Sequence, residues 1–222
     1  MDSLISIIRS LAKLLLGRGV RTSYGQDGED VLVDSLLRKK KGTYVDVGAY
    51  HPILYSNTYG FYRKGWKGLV IDPNATLAPL YAFFRSQDTF ACAAVGTTEG
   101  EGTYHRFKDG AYNTLSSEEA EKWKSEKRSP YIGTEQVRVR PLRDLTREAG
   151  ITEVDFLNID IEGMDVEALE SYDWNIPPKV IAIEDNAFDA HAPETSPAFR
   201  YLVAKGYRLA SFSPRTLIFA RA

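Results

Sequence analysis

Four apolar runs in this chain each lead into an acidic residue. They are Tyr44-Val45-Asp46-Val47-Gly48, Leu69-Val70-Ile71-Asp72-Pro73, Phe156-Leu157-Asn158-Ile159-Asp160 and Val180-Ile181-Ala182-Ile183-Glu184-Asp185. A short run with no polar alternation reads as a strand covered on both faces, which is the habit of a parallel sheet flanked by helices. In such open sheets, small molecules bind beyond the C-terminal ends of the strands. The carboxylates therefore mark the rim where a site belongs.

The segments between these runs complete an α/β alternation. A helix is predicted from Glu29 to Lys40 ahead of a strand at 43–48, and another near Ser56 that ends by Gly65. A strand at 68–72, a helix at 75–86 and a strand at 89–95 follow, the last closed by Gly96. Further on come a short strand Val137–Arg140, a helix Leu142–Ala149, strands at 154–159 and 179–184, and a helix from Thr195 to Lys205. Tyr207–Phe212 and Thr216–Ala220, joined by Ser213-Pro214-Arg215, predict a terminal antiparallel hairpin. Residues 97–136 interrupt the alternation with an edge-like strand (Thr103–Phe107) and a charged helix (Ser116–Lys127). So long a connection predicts an insertion facing the substrate. The chain divides into an amphipathic helix and link at 1–22 and one domain at 23–222.

With 222 residues, 43% of them hydrophobic, the chain suits one full core. A net charge of -2 supplies no basic field to draw in nucleic acid, which is not expected as a partner. The single cysteine, Cys92, excludes an intrachain disulfide and a cysteine-based zinc site and fits a reducing, cytoplasmic compartment. Its apolar surroundings predict a core position. At the N-terminus Leu4, Ile7, Ile8, Leu11, Leu14 and Leu15 recur at helical spacing among Arg9, Lys13 and Arg18. Asp2 and the interrupting charges do not suit a signal peptide. Two readings stay open: a helix packed on the domain or on a second subunit, or one lying peripherally on the anionic inner surface of a membrane.

Three nucleoside ligands compete for the rim. A dinucleotide needs several glycines after the first strand, and a triphosphate needs a Gly-x-x-x-x-Gly-Lys-Ser/Thr loop. Asp46-Val47-Gly48-Ala49-Tyr50-His51-Pro52 offers one glycine and then bulky residues, and no triphosphate loop exists. S-adenosylmethionine has no phosphate. It asks for one close backbone approach, an anion near its charged end and a carboxylate for its ribose diol. Gly48, Asp46 and Asp72 meet those needs.

Gly25-Gln26-Asp27, Val45-Asp46-Val47-Gly48-Ala49, Ser56-Asn57-Thr58, the run Gly65 to Asn74 and the run Asp155 to Gly163 together resemble the FkbM-type S-adenosylmethionine-dependent methyltransferases, over roughly residues 22–212. His51-Pro52 and Asp72 depart from that pattern, which usually has a small pair and a Glu there. The resemblance implies a Rossmann-like, seven-stranded class I methyltransferase sheet, mostly parallel, with a reversed last strand and helices on both faces. It also implies O-methylation of a sugar, glycan or glycosylated metabolite. The competing reading is a catalytically inactive copy of the fold serving as a binding or scaffold subunit.

Under the resemblance, Asp46 and Gly48 face the methionine half of the cofactor. Ser56, Asn57 and Thr58 cap a helix and touch the cofactor carboxylate, while Gln26 and Asp27 fold over that end. Asp72 grips the ribose, Asn74 edges the adenine, and Ala93 and Ala94 offer it backbone groups. Asp160 and His191 are the candidate catalytic bases. Asp160, Glu184 and Asp185 crowd the next two strand ends, so a divalent cation such as Mg2+ is one way to relieve their repulsion. Glu162 is expected to cap the helix that begins at Gly163 or to salt-bridge locally. Tyr112, Trp123 and Tyr131 are candidates to line the acceptor pocket.

Overall fold

The computed structural model describes residues 2–15 and 19–221; Gly17 and Arg18 of the expected link, and the Leu14 side chain, lie outside the described residues. In chain order the elements are α1 (Asp2–Leu15), α2 (Glu29–Leu37), β1 (Thr43–Val47), α3 (Tyr59–Tyr62), β2 (Lys67–Ile71), α4 (Ala78–Phe84), β3 (Thr89–Ala91), β4 (Ala94–Val95), β5 (Gly100–Phe107), α5 (Ser117–Ser125), β6 (Tyr131–Arg140), α6 (Leu142–Glu148), β7 (Phe156–Ile159), α7 (Asp165–Glu170), β8 (Val180–Glu184), α8 (Pro197–Ala204), β9 (Tyr207–Phe212) and β10 (Thr216–Arg221). Among the described residues no helix is long and apolar enough to cross a membrane.

Seven strands form the main sheet in the order β3-β2-β1-β7-β8-β10-β9. The first five are mutually parallel, and β10 runs antiparallel to both β8 and β9. The apolar runs behave as covered strands because each face has its own core. Val45, Val47, Ile71, Leu157 and Ile183 pack under α6, α7 and α8. Tyr44, Val70, Phe156 and Ala182 pack under α2, α3 and α4. Local chemistry sets the helix ends. Arg38 turns left-handed (φ 46) and its N–H bonds the Asp34 carbonyl, so α2 stops short of Lys40. The Ser196 hydroxyl accepts from Phe199 N at 3.0 Å with Pro197 in the first turn, so α8 begins at 197.

The predicted strand at 89–95 is two strands in two sheets. Ala93 N bonds the Ala91 carbonyl at 3.1 Å, and this tight turn takes the chain out of the main sheet. Cys92 sits at the kink and is exposed, which corrects its expected core position. Ala94 and Val95 then pair with Val139 and Arg140 in a second sheet, β4-β6-β5. Gly100–Phe107 and Tyr131–Arg140 supply the other two strands of that sheet. Ala94, Tyr104 and Val137 form one small core, and Phe107, Ala120 and Trp123 another.

Candidate active site

Strand order reverses at β1, which pairs with β2 on one side and β7 on the other. A crevice opens beyond the strand ends at such a switch point. Gly48 leaves β1 with φ +79, and a Cβ there would stand 1.7 Å from the Asp160 backbone oxygen. Only glycine lets the β1 and β7 tips approach this closely.

The cleft above this contact has two ends. On the β2 side it is lined by Asp72, Ala93 and Ala94, and on the β7–β8 side by Asp160, Glu162 and Glu184. Gln26 and Gly48 also line it. Tyr104 of the second sheet and the segment from Asp109 to Leu115 that follows β5 supply a wall. Tyr50 and Tyr55 close the remaining side, both with left-handed backbone (φ 43 and 57). Tyr112 lines the cleft as expected of an acceptor-pocket residue, whereas Trp123 and Tyr131 do not. Trp123 packs edge-on beneath the Tyr112 ring.

Asp72 is nearly buried, and its two oxygens accept from Tyr50 N (3.1 Å) and Asn74 N (2.8 Å). Those bonds fix the carboxylate while leaving acceptor capacity toward the cleft. Burial pushes its pKa up to about 6, against the pull of the two N–H groups. Asn74 itself does not line the cleft. Its side chain accepts from Thr76 N and caps the next turn.

Asp46 lies elsewhere than expected. The pleat puts it on the Tyr44 side of β1, under α3 and α4 and outside the cleft lining. One oxygen accepts from Asn158 Nδ2 at 2.9 Å and the other from the Thr58 hydroxyl. Thr58 accepts from Arg85 Nη2 (2.9 Å), and Ser56 accepts from Arg85 Nη1 (3.2 Å) and from Tyr59 N at the start of α3. Asn57 donates to Asn158 Oδ1 at 3.1 Å. Ser56, Asn57, Thr58 and Asp46 thus form the floor beneath the cleft. Its cation is Arg85, fully buried among the Tyr44, Tyr62 and Tyr81 rings and paired with Asp88 at 2.7 Å. One atom of this floor is unsatisfied: Asn57 Oδ1 is buried beneath Gly25 with no hydrogen-bond partner among the described residues.

The acidic end also differs from expectation in one member. Asp160, Glu162 and Glu184 bring ligand-type oxygens within 4.8 Å of one another. Asp185 turns away, accepting from Ser196 Oγ (2.6 Å) and Ala187 N (3.1 Å). Glu162 takes its place and does not cap the next helix. Asp165 does that work, accepting from Ile161 N and Gly163 N at 3.2 Å each. Glu162 has φ 53, a conformation costing a non-glycine residue roughly 1 kcal/mol. Asp165 and the Thr114 hydroxyl, which donates to the Glu162 carbonyl at 2.8 Å, hold it there. Asp160 meets solvent through the cleft. Burial and then mutual repulsion raise Glu162 and Glu184; Asp160 is raised by burial, partly offset by its hydrogen bond with Glu184. At neutral pH the cluster therefore holds protons unless a cation takes their place.

His191 is exposed on the loop after β8 and does not line the cleft; the polar contact it makes is its N–H to Asp189 Oδ1 at 2.8 Å. Asp27 is also outside the lining, but Arg215, which lines it, bonds Asp27 Oδ2 at 3.2 Å. Arg215 was legible in principle. A reversed β10 starts beside the C-terminal end of β8, with Thr216 opposite Glu184, so the hairpin turn must reach the rim.

The model for the methyltransferase FkbM domain matches residues 46–209, more than half of the chain. The chain belongs to the FkbM methyltransferase family. Among solved structures, a methyltransferase FkbM from Methylobacillus flagellatus KT is similar, with 16% identity and a TM-score of 0.49. The match covers 82% of this chain and 44% of that one, so the chain spans under half the length of that relative. No curated protein matches the chain significantly. The α/β architecture, with its mostly parallel seven-stranded sheet and terminal antiparallel hairpin, is consistent with the family's fold.

Proposed function

We propose that this FkbM methyltransferase uses S-adenosylmethionine to methylate a hydroxyl of a sugar, glycan or glycosylated metabolite. The observation that carries this reading is one cleft at the switch point with Asp72 at its β2 end and Asp160 at its β7 end. Asp72 is the acceptor for the ribose diol, with Ala93 and Ala94 beside the adenine. Gln26 lines the other part of the cleft. When bound, the cofactor supplies the electrophilic methyl carbon.

The chain's own task is to align the acceptor and take its proton. Alignment supplies ~7–11 kcal/mol in favourable cases, so the walls matter as much as the base. Asp160 is the general base, with Glu184, its carboxyl held protonated, as hydrogen-bonding neighbour. Tyr50, Tyr55, Tyr104 and Tyr112 offer flat apolar faces with polar edges, a lining that suits a carbohydrate.

Titration calorimetry with S-adenosylhomocysteine tests the reading. Asp72→Ala weakens binding by about 10–100-fold, the worth of a charged hydrogen bond. In the wild type, affinity falls as pH drops through about 6, because Asp72 gains a proton and loses an acceptor lone pair. Asp72→Asn abolishes that dependence. Absence of any binding to the wild type would leave the scaffold reading in possession.

A second reading keeps the same three acids and places a divalent cation among them. Their convergence within 4.8 Å favours it. Asp160, Glu162 and Glu184 would hold the ion, which would acidify the acceptor hydroxyl. On this reading, chelation with EDTA lowers turnover at least about tenfold and Mg2+ or Mn2+ restores it. Unchanged turnover after exhaustive chelation removes the ion.

A further inference from the structure

Among the described residues, α1 carries the longest run of exposed large apolar side chains. Leu4, Ile5, Ile7, Ile8, Leu11 and Leu15 are between 47% and 87% exposed, and none joins a core cluster. At about 100° per residue they fill one half of the helix, while Ser6, Arg9, Ser10 and Lys13 fill the other. A helix of 14 residues is marginal in water by itself, so this face needs a cover.

A second observation says what kind. The chain as a whole is slightly acidic, yet cations gather around one groove that includes Arg21, the next cation in the described sequence after α1. Arg21 lines a shallow groove with Arg38, Lys39, Lys40 and Lys64, and Lys41 follows directly. Lys39 is taken up by Asp155 at 2.7 Å and Lys64 by Asp34 at 2.6 Å. Arg21, Arg38, Lys40 and Lys41 are exposed and make no ion pair among the described residues. The groove adjoins the N-terminal end of β1, the end opposite Gly48 and the cleft. A surface docked there leaves the cleft accessible.

We propose that α1 lies in the plane of an anionic lipid bilayer surface, its apolar face at the acyl boundary and the four free cations over the headgroups. A second copy of the chain would cover the apolar face but leave the cations without counter-charge. Anionic headgroups answer both. The inference goes beyond the proposed catalysis and does not depend on it.

Vesicle flotation of the full chain tests it. The chain is expected to float with equimolar phosphatidylcholine–phosphatidylglycerol vesicles, far less with pure phosphatidylcholine, and less again as ionic strength rises. Ile8→Glu with Leu11→Glu abolishes flotation. Arg38→Gln with Lys40→Gln and Lys41→Gln leaves α1 intact but weakens partition roughly fivefold per charge removed. Both variants keep the wild-type melting temperature and affinity for S-adenosylhomocysteine, which shows that the domain is folded. Three results overturn the proposal: no flotation, equal flotation with neutral and anionic vesicles, or a dimer seen by light scattering that the α1 variant dissolves while no vesicle binding occurs.

Discussion

Replacing Asp160 with Asn lowers kcat by about 10²–10⁴-fold while S-adenosylhomocysteine still binds with near wild-type affinity. Asparagine keeps the shape of the residue at the β7 tip but cannot accept the acceptor's proton. The variant is also at least as thermostable as the wild type. Asp160 repels Glu162 and Glu184 beside it at the β7–β8 end of the cleft, and both are raised from their usual range. Removing one charge relieves that repulsion. A stable, cofactor-binding but inactive protein is the signature of a catalytic rather than a structural role. His191→Ala, by contrast, leaves kcat within about twofold, as an exposed loop side chain outside the cleft should. Single-turnover rates with any active acceptor check both. A large loss in His191→Ala and a small one in Asp160→Asn would move the base to the loop after β8.

Arg85→Met destabilises the protein by about 3–5 kcal/mol, the usual cost of orphaning a buried ionic partner. The guanidinium has no solvent-exposed surface. It donates to Asp88 (2.7 Å), Ser56 (3.2 Å), Thr58 (2.9 Å) and the Tyr44 hydroxyl (3.0 Å). Asp88 in turn accepts from Tyr44 and from Gly68 N, tying β1 and β2 to the same network. Without Arg85, Asp88 and Asp46 remain buried with no cation. For a chain of this size the melting temperature falls by roughly 10 °C, readable by calorimetry. Arg85→Lys keeps the charge but loses the fork that reaches Ser56 and Thr58 together, so it recovers only part of the stability. A shift of under about 1 kcal/mol for Arg85→Met would show that the network is not needed for folding.

Arg85 was invisible in the sequence, where it ends an ordinary amphipathic helix. Burial of an arginine is decided by which aromatic rings close over it, here Tyr44, Tyr62 and Tyr81 from three separate elements. Asp46 illustrates the same limit from the other side. Its place at a strand end was legible, but the pleat and the helices above it sent its carboxylate under the cleft floor. Glu162 stands in the acidic cluster in place of Asp185 because Ser196, arriving from the start of α8, claimed Asp185, while Asp165 took the turn that Glu162 was expected to cap. The run 89–95 reads as one strand because every residue in it suits one; the partners β2 and β6 pull its halves into different sheets.

By itself the sequence determined the alternation of covered strands and helices, the reversed terminal hairpin, and the rim where Gly48, Asp72, Asp160 and Glu184 end their strands. These follow from local periodicity and from the rule that parallel strands are buried on both faces, which neighbours in the chain suffice to encode. Only the tertiary structure decided which acids face the cleft and which lie beneath it, and which loops wall it. A side chain's partners come from segments distant in sequence, and burial and hydrogen bonding, not residue type, set what its charge can do.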